Sequence, residues 1–519
     1  MSPSIPSLLS RRDLLRLAAA SALLPSVARA AAAEGDLPFS FDALTEEMRA
    51  AAGAPWTPEA PPEAWWGDLD YDGYRMIRFR DGQSRWQDDE DRAWRVGAFH
   101  MGWLFPEPVR LFDVSDGTAR ELRFTTGDFD YFGTLAGKVP ADGALPGVAG
   151  FRLNWPLNRP DRSDEVVSFV GASYFRALGR DDVYGASARG LAINTWVKAP
   201  EEFPRFSRFY LSRDADTATI HAALEGPSVT GAYRFVVRPG AVTEIDVTAR
   251  LFFRDAVEEL GIAPLTSMFL FNGQNRADFD DYRPSVHDSD GLRIVQADGD
   301  ATWRPLDNPG RLASSYFTGP APRSFGLYQR ERDFESFQDP GARYDLRPSV
   351  EIVPKGDWGP GAVRLVEIPS ALEANDNVVA FWIPEAKVEA GAAREYDYTL
   401  RWGDLAPDWA GPLAMVAATR AGAGGVAGIE ALENARKFVV DFRGGPLGDL
   451  PPDAPVQPMA TVTGGHLVSA VLERLPEGRD WRVVLDVSAE RDATVEIMLH
   501  LAGFGQKLSE SWAFQWVNA

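Results

Sequence analysis

Apolar and polar residues alternate with a period of two along most of this chain. Ile245, Val247, Ala249 and Leu251 interleave with Glu244, Asp246, Thr248 and Arg250, the pattern of a strand with one face buried. Tyr396, Tyr398, Leu400 and Trp402 repeat it, as do Val495, Ile497, Leu499 and Leu501, and finally Trp512, Phe514 and Trp516. Asp-Gly, Asn-Gly and Pro-Gly turns separate these short runs, which predicts antiparallel sandwiches rather than βαβ units. Helical spacing is confined to two places. Residues 41–48 read as a short amphipathic helix capped by Asp42 or Thr45, and residues 254–260 as a second one stopped by Gly261.

The same pattern divides the chain. Residues 55–62 carry four prolines and form an entry loop. Gly403-Asp404-Leu405-Ala406-Pro407-Asp408 is a turn-rich break. Beyond it, residues 412–519 hold about seven strand-like segments, the size of an immunoglobulin-like β-sandwich. Residues 34–403 are too long for a simple sandwich of that kind and predict a large multi-stranded one with long functional loops. The expected fold class is all-β, with no internal repeat.

Composition narrows the class of ligand. The 519 residues carry a formal net charge of −22, which repels nucleic acid and anionic lipid surfaces and favours a neutral substrate. With no cysteine, disulfides and thiolate chemistry are excluded. Sixteen Trp and 30 Phe suit either sandwich cores or surfaces that stack on sugar rings. At the N-terminus, Ser10-Arg11-Arg12-Asp13-Leu14-Leu15, the weakly apolar run from Leu17 to Leu24 and Ala28-Arg29-Ala30 read as a twin-arginine export signal over residues 1–30. No stretch reaches the roughly 20 apolar residues of a membrane span, so the expected mature protein is soluble and outside the cytoplasm.

Candidate chemistry is sparse. No G-x-S-x-G marks a nucleophile elbow, and the five histidines lack ligand spacing, so neither a metal nor a cofactor is expected. Gly422-Ala423-Gly424-Gly425-Val426-Ala427 resembles a dinucleotide loop only superficially, without a βαβ unit around it. Two acidic turns stand out. In His287-Asp288-Ser289-Asp290-Gly291 the last pair is a hairpin turn, and Asp288 is either its cap or a carboxylate available for chemistry. In Asn375-Asp376-Asn377 one acid lies between two amides, followed at once by Val378-Val379-Ala380-Phe381-Trp382. An apolar wall there raises a carboxyl pKa, as a general acid requires. Between the two turns, Tyr328-Gln329-Arg330-Glu331-Arg332-Asp333-Phe334 and Lys355-Gly356-Asp357-Trp358-Gly359 mix hydrogen-bonding groups with aromatics, a combination that recognises sugar hydroxyls and ring faces. A surface ion network is the plainer reading of Arg330 to Asp333.

Several stretches carry a family resemblance. Phe325-Gly326-Leu327-Tyr328-Gln329-Arg330-Glu331-Arg332-Asp333-Phe334, Arg343-Tyr344, Arg347-Pro348-Ser349, Pro354-Lys355-Gly356-Asp357-Trp358-Gly359 and Asn375-Asp376-Asn377 are similar to the periplasmic glucan biosynthesis proteins G and D. So are Ser173-Tyr174-Phe175-Arg176-Ala177-Leu178-Gly179, Tyr184-Gly185-Ala186-Ser187-Ala188-Arg189-Gly190 and Tyr282-Arg283-Pro284. The likeness is dense over residues 170–385 and looser in the last hundred, and the twin-arginine signal favours the D type. The resemblance implies periplasmic localisation and a large mutarotase-like β-sandwich joined to an immunoglobulin-like domain. It also implies kinship with inverting glycoside hydrolases that cut β-1,2-glucan internally. By that likeness Asp376 is the general acid, and Asp288 is the general base, acting through a water relay rather than directly. Ala374 stands where the likeness implies Thr.

The function expected from sequence is therefore anomer-inverting endo-cleavage of β-1,2-glucan, by hydrolysis or by transglycosylation giving a cyclic glucan. Asp376 keeps its proton beside its apolar flank, Asp288 is ionised in a wetter setting, and Tyr328, Arg332, Trp358 and Trp382 contact substrate. The rival expectation is a non-catalytic glucan-binding scaffold that presents glucan to partner proteins of the pathway. An epimerase or mutarotase reading rests on fold analogy alone.

Overall fold

The computed structural model describes residues 36–518 apart from 59, 61, 88–92, 427–429 and 477–478. The export signal expected over residues 1–30 lies outside the described residues. The chain is mostly β, and nearly all its strand pairings are antiparallel. Its longest sheet runs from Leu37–Pro38 at one edge to Val456–Thr463 at the other. A parallel pairing of Ala301–Pro305 with Ser511–Val517 carries that sheet into the C-terminal strands. Among the described residues no helix is long and apolar enough to cross a membrane.

A second, smaller sheet faces the first. In chain order its strands begin with β1 (Arg95–Phe99), β2 (Gly150–Trp155), β3 (Asp164–Val170), β4 (Tyr174–Ala177), β5 (Ser187–Arg189) and β6 (Leu260–Ser267). A separate two-stranded ladder follows, β7 (Phe269–Phe271) with β8 (Val286–His287). The smaller sheet resumes with β9 (Ala313–Pro320), β10 (Pro360–Glu367) and β11 (Val378–Pro384), and its spatial order is β9-β10-β11-β6-β5-β4-β3-β2-β1. Period-two alternation decides what this sheet shows to each side. Val96, Phe151, Phe175, Ala188, Leu265, Leu365 and Ala380 point into one large core shared with the longer sheet. Their neighbours in sequence point away from it.

A second core gathers Phe438, Val440, Val483, Leu485, Leu499 and Trp512 from the C-terminal strands. Trp303 and Tyr328, from far upstream in the chain, pack into it as well.

Two local expectations need correction. The first helix, α1, spans Phe41–Ala52, longer than the eight residues expected, and its cap is Ser40, whose Oγ accepts from Ala43 N at 3.1 Å. Asp42 sits inside the first turn instead. The second expected helix, at 254–260, is absent. Arg254 ties its segment down by donating to the carbonyls of Ala51, Ala54 and Gly226. Leu260 then opens β6. Gly261 is not a helix stop; a Cβ there would lie 2.7 Å from the Phe381 ring on the neighbouring strand.

Candidate active site

Asp376 ends the loop between β10 and β11, and β11 starts two residues later. Its Oδ2 accepts from Thr266 Oγ1 at 3.1 Å, Ser187 Oγ at 3.3 Å and Arg176 Nη2 at 3.4 Å. These donors belong to the adjacent strands β6, β5 and β4. Each occupies an outward register position, beside a neighbour (Leu265, Ala188, Phe175) that points into the core. The Ser187 and Thr266 hydroxyls are also bonded to each other. Among the described residues no hydrogen bond lands on Oδ1. Arg176 and the Ser187–Thr266 hydroxyl pair thus fix one carboxylate oxygen, while the other is held by no side chain among the described residues.

The expected apolar wall is not what surrounds this carboxyl. Trp382 turns into the large core, and Phe381 packs in a small cluster with Val366 and Val379. The nearest groups to Asp376 are a guanidinium and two hydroxyls.

Asp288 follows β8 directly, and its N–H donates to Met268 O at 2.8 Å. It is 4% exposed and paired with the Arg347 guanidinium. The wetter setting expected for this residue is thereby corrected. Burial pushes its carboxyl up to about 6, Arg347 pulls it back, and the negative charge of Asp376 adds to the rise. The two acids therefore lie within electrostatic reach of each other, with Arg176 acting on both.

Asn377 links the two halves of the site mechanically. Its Oδ1 accepts from Phe269 N at 2.8 Å, and its Nδ2 donates to Phe269 O at 2.9 Å and Ile368 O at 3.0 Å. The residue beside Asp376 thus grips the residue next to Met268, whose carbonyl holds Asp288. On the far side, Arg347 lies over the Tyr344 ring at 4.2 Å. The Tyr344 hydroxyl donates to Glu373 Oε2 at 2.8 Å, and Glu373 is also paired with Arg283.

The remaining acidic-turn residues hold the turn in shape. Asp290 Oδ2 accepts from Arg330 N at 3.0 Å and Glu331 N at 3.1 Å. His287 is buried, stacks on Phe269 and bonds Gln329 Oε1 through Nδ1 at 3.0 Å. Desolvation lowers its pKa to about 3, so it is a neutral ring in this turn.

Of the four expected substrate contacts, three are placed in packing. Tyr328 is buried in the C-terminal core, with its hydroxyl on Glu351 at 2.7 Å. Trp358 is buried against Trp382, Tyr396 and Tyr398, and its Nε1 donates to Asp397 O at 3.2 Å. Trp382 is 1% exposed. The alternation that makes β11 a strand sends Trp382 to the same side as Val378 and Ala380. Arg332 is partly exposed and donates to Arg347 O and to Ser349 Oγ at 3.2 Å, one step behind the guanidinium that holds Asp288. Of the residues that reach the acids directly, Arg176, Ser187 and Arg347 lie in stretches that carry the family resemblance but are given no role from sequence, and Thr266 lies outside them. The available signal was a polar or charged residue flanked by small or apolar ones on a short strand, as in Phe175-Arg176-Ala177.

The class of protein so defined is a large, mostly antiparallel β protein with Asp376 on the outer side of its smaller sheet and the buried Asp288 at the end of a separate two-stranded ladder. Residues 39–516 match the family model described as "Periplasmic glucan biosynthesis protein, MdoG", and the chain belongs to that family. It is 56% identical to "Glucans biosynthesis protein G" of Cereibacter sphaeroides, over 100% of this chain and 99% of the relative. It is 41% identical to the protein of the same name from Ralstonia nicotianae, covering 93% of this chain and 97% of the relative. "Glucans biosynthesis protein D" of Xylella fastidiosa is also 41% identical, covering 92% and 90%. The expected preference for the D type is therefore not supported, since the relative at 56% is a G protein.

Proposed function

We propose that the chain is a periplasmic enzyme that cleaves β-1,2-glucan internally with inversion at the anomeric carbon, by hydrolysis or by transfer that closes a cyclic product. The observation that carries this reading is structural: Asp376, held by Arg176, Ser187 and Thr266, and Asp288, held by Arg347, are remote in sequence yet joined through the grip of Asn377 on Phe269 and the bond of Asp288 to Met268. Asp376 gives its proton to the glycosidic oxygen as the C1–O bond breaks. Water, or a sugar hydroxyl, attacks C1 from the opposite face, and its proton passes through intervening water to Asp288. A carboxyl raised to about 6 by burial is a stronger base than an exposed one, and it is still ionised at neutral pH. The donors on Asp376 Oδ2 fix the carboxyl while Oδ1 faces substrate.

The test is to incubate purified protein with linear β-1,2-glucan and size the products by mass. Shorter or cyclic chains support the reading. Glucan binding with no new product would leave a protein that holds glucan for others.

A further inference from the structure

We propose that a cavity at the β1–β2 edge of the smaller sheet is a second glucan-binding pocket, which takes the distal part of a chain whose scissile bond lies at Asp376. The inference rests on the glucan reading above. The cavity has a volume of about 640 Å³, and its walls include Arg95 and Phe99 of β1 and Arg152 and Asn154 of β2. Val96, Ala98, Phe151 and Leu153 of those strands are in the core, so by alternation the wall residues face outward, as do Arg176, Ser187 and Thr266 around Asp376. Cavity and acid lie on one face of one sheet. From β4, which carries Arg176, to β2 and β1 is two to three strand spacings, about 10–14 Å.

The face between them is polar, and a chain of bonds crosses it from β3 to the cavity. Ser168 of β3 donates to the Tyr184 hydroxyl at 3.3 Å, and that hydroxyl donates to Glu165 Oε1 at 2.7 Å. Arg152 bridges Glu165 at 3.4 Å and Asp81 at 3.3 Å. Arg162 pairs with Asp164 in the same wall. With Arg78 and Arg95, the wall holds four guanidiniums and three carboxylates, and Arg152 and Arg162 are paired with those acids. Together with the amides of Gln87 and Asn154, the hydroxyls of Ser84 and Ser163 and the rings of Phe99 and Phe129, these groups give many donors and acceptors around apolar faces, the complement of a polyol.

Its floor carries unmet polar capacity. His100 lines the cavity and is 3% exposed; its Nδ1 lies 2.6 Å from Met101 O and so holds the ring proton. Nε2 is then an acceptor, and among the described residues it has no partner. Behind the His100 ring, outside the cavity lining, Trp66 Nε1 and Tyr131 Oη are also buried and without a hydrogen-bond partner among the described residues. Such groups are rare and call for a ligand or ordered water.

The test uses Asp376→Asn protein, so that glucan is held without turnover, and compares calorimetric Kd for a long linear β-1,2-glucan and for an oligosaccharide too short to reach the cavity. Ser84→Trp fills the cavity from its half-buried rim, and Asn154→Ala removes one amide; thermal unfolding verifies that both variants fold. We expect the long glucan to lose about tenfold in affinity with the short one unchanged, and any change confined to the long chain supports the pocket. Equal changes for both ligands, or none for the long one, overturn it while leaving the proposed function intact. If the Asp376→Asn parent binds neither ligand, the glucan reading fails and this assignment fails with it.

Discussion

In the proposed reaction the two aspartates divide the labour through their neighbours. Asp376 is partly exposed and held by one oxygen, so Asp376→Asn keeps the shape and most of the bonding but removes the proton donor. We expect turnover to fall by 10²–10⁴-fold, roughly the worth of a positioned acid, with glucan affinity near that of the parent; retained turnover, measured as new reducing ends or cyclic product, would refute the assignment. Asp288 sets the pH response. A base raised to about 6 is inactive when protonated, so the rate should climb as pH rises through about 6. Arg347 opposes that rise, so Arg347→Gln should move the limb to higher pH; a pH–rate profile with an unmoved limb counts against Asp288 as the base. Stability carries the opposite sign. Asp290 is raised to about 6, also chiefly by burial, so it binds its proton more tightly folded than unfolded. Its contribution is fully present below the usual carboxylate range near 4 and is lost as pH rises through about 6. Asp290→Asn should therefore gain on the parent by about 1–3 kcal/mol between pH 4 and 7, read from denaturant unfolding at both pH values.

At the scale of elements, the acids are placed by strands that carry no chemistry themselves. Asn377 occupies a single position beside Asp376 and satisfies the backbone of Phe269 in both directions. Asn377→Ala leaves a buried N–H and two carbonyls without that partner, at a cost of about 1–3 kcal/mol for each group left unsatisfied. The β7 ladder would loosen and Asp288 with it, so turnover should fall although both carboxylates remain; unchanged unfolding free energy would show that the clamp is dispensable. Strand existence was legible in sequence because period-two alternation survives in any half-buried sheet. Which side each residue faces was not. Phe381 and Trp382 lie on the strand that Asp376 leads into, yet the strand turns one to a small satellite cluster and the other to the main core. Arg254 and its neighbours read as helical, but their bonds reach α1 and a loop far away in sequence, contacts that no local window contains. Arg176 and Ser187 lie on strands close in sequence, but Thr266 and Asp376 come from far downstream, and the four meet only when the sheet assembles.

The whole molecule ties its C-terminal strands to the turn that holds Asp288. Glu510 is fully buried. Its carboxylate accepts from Arg330 Nη1 at 2.6 Å and Nη2 at 3.1 Å, and from Val416 N at 2.7 Å. Arg330 in turn lies over Trp303 and gives its own N–H to Asp290, two residues from Asp288. A buried pair of this kind contributes little net stability, yet losing one partner strands the other charge. Glu510→Ala should therefore cost about 3–5 kcal/mol, whereas Glu510→Gln keeps one acceptor for Arg330 and costs less. If the link only stabilises, Glu510→Gln leaves the pH–rate profile and the split between kcat and KM as in the parent. If it positions the turn, kcat falls with KM little changed and the limb set by Asp288 moves, because the depth of burial that raises that carboxyl is set by where the turn sits. Kinetics on the folded Gln variant separate the two, and a profile superimposable on the parent's would reduce the C-terminal strands to a support with no hold on the chemistry.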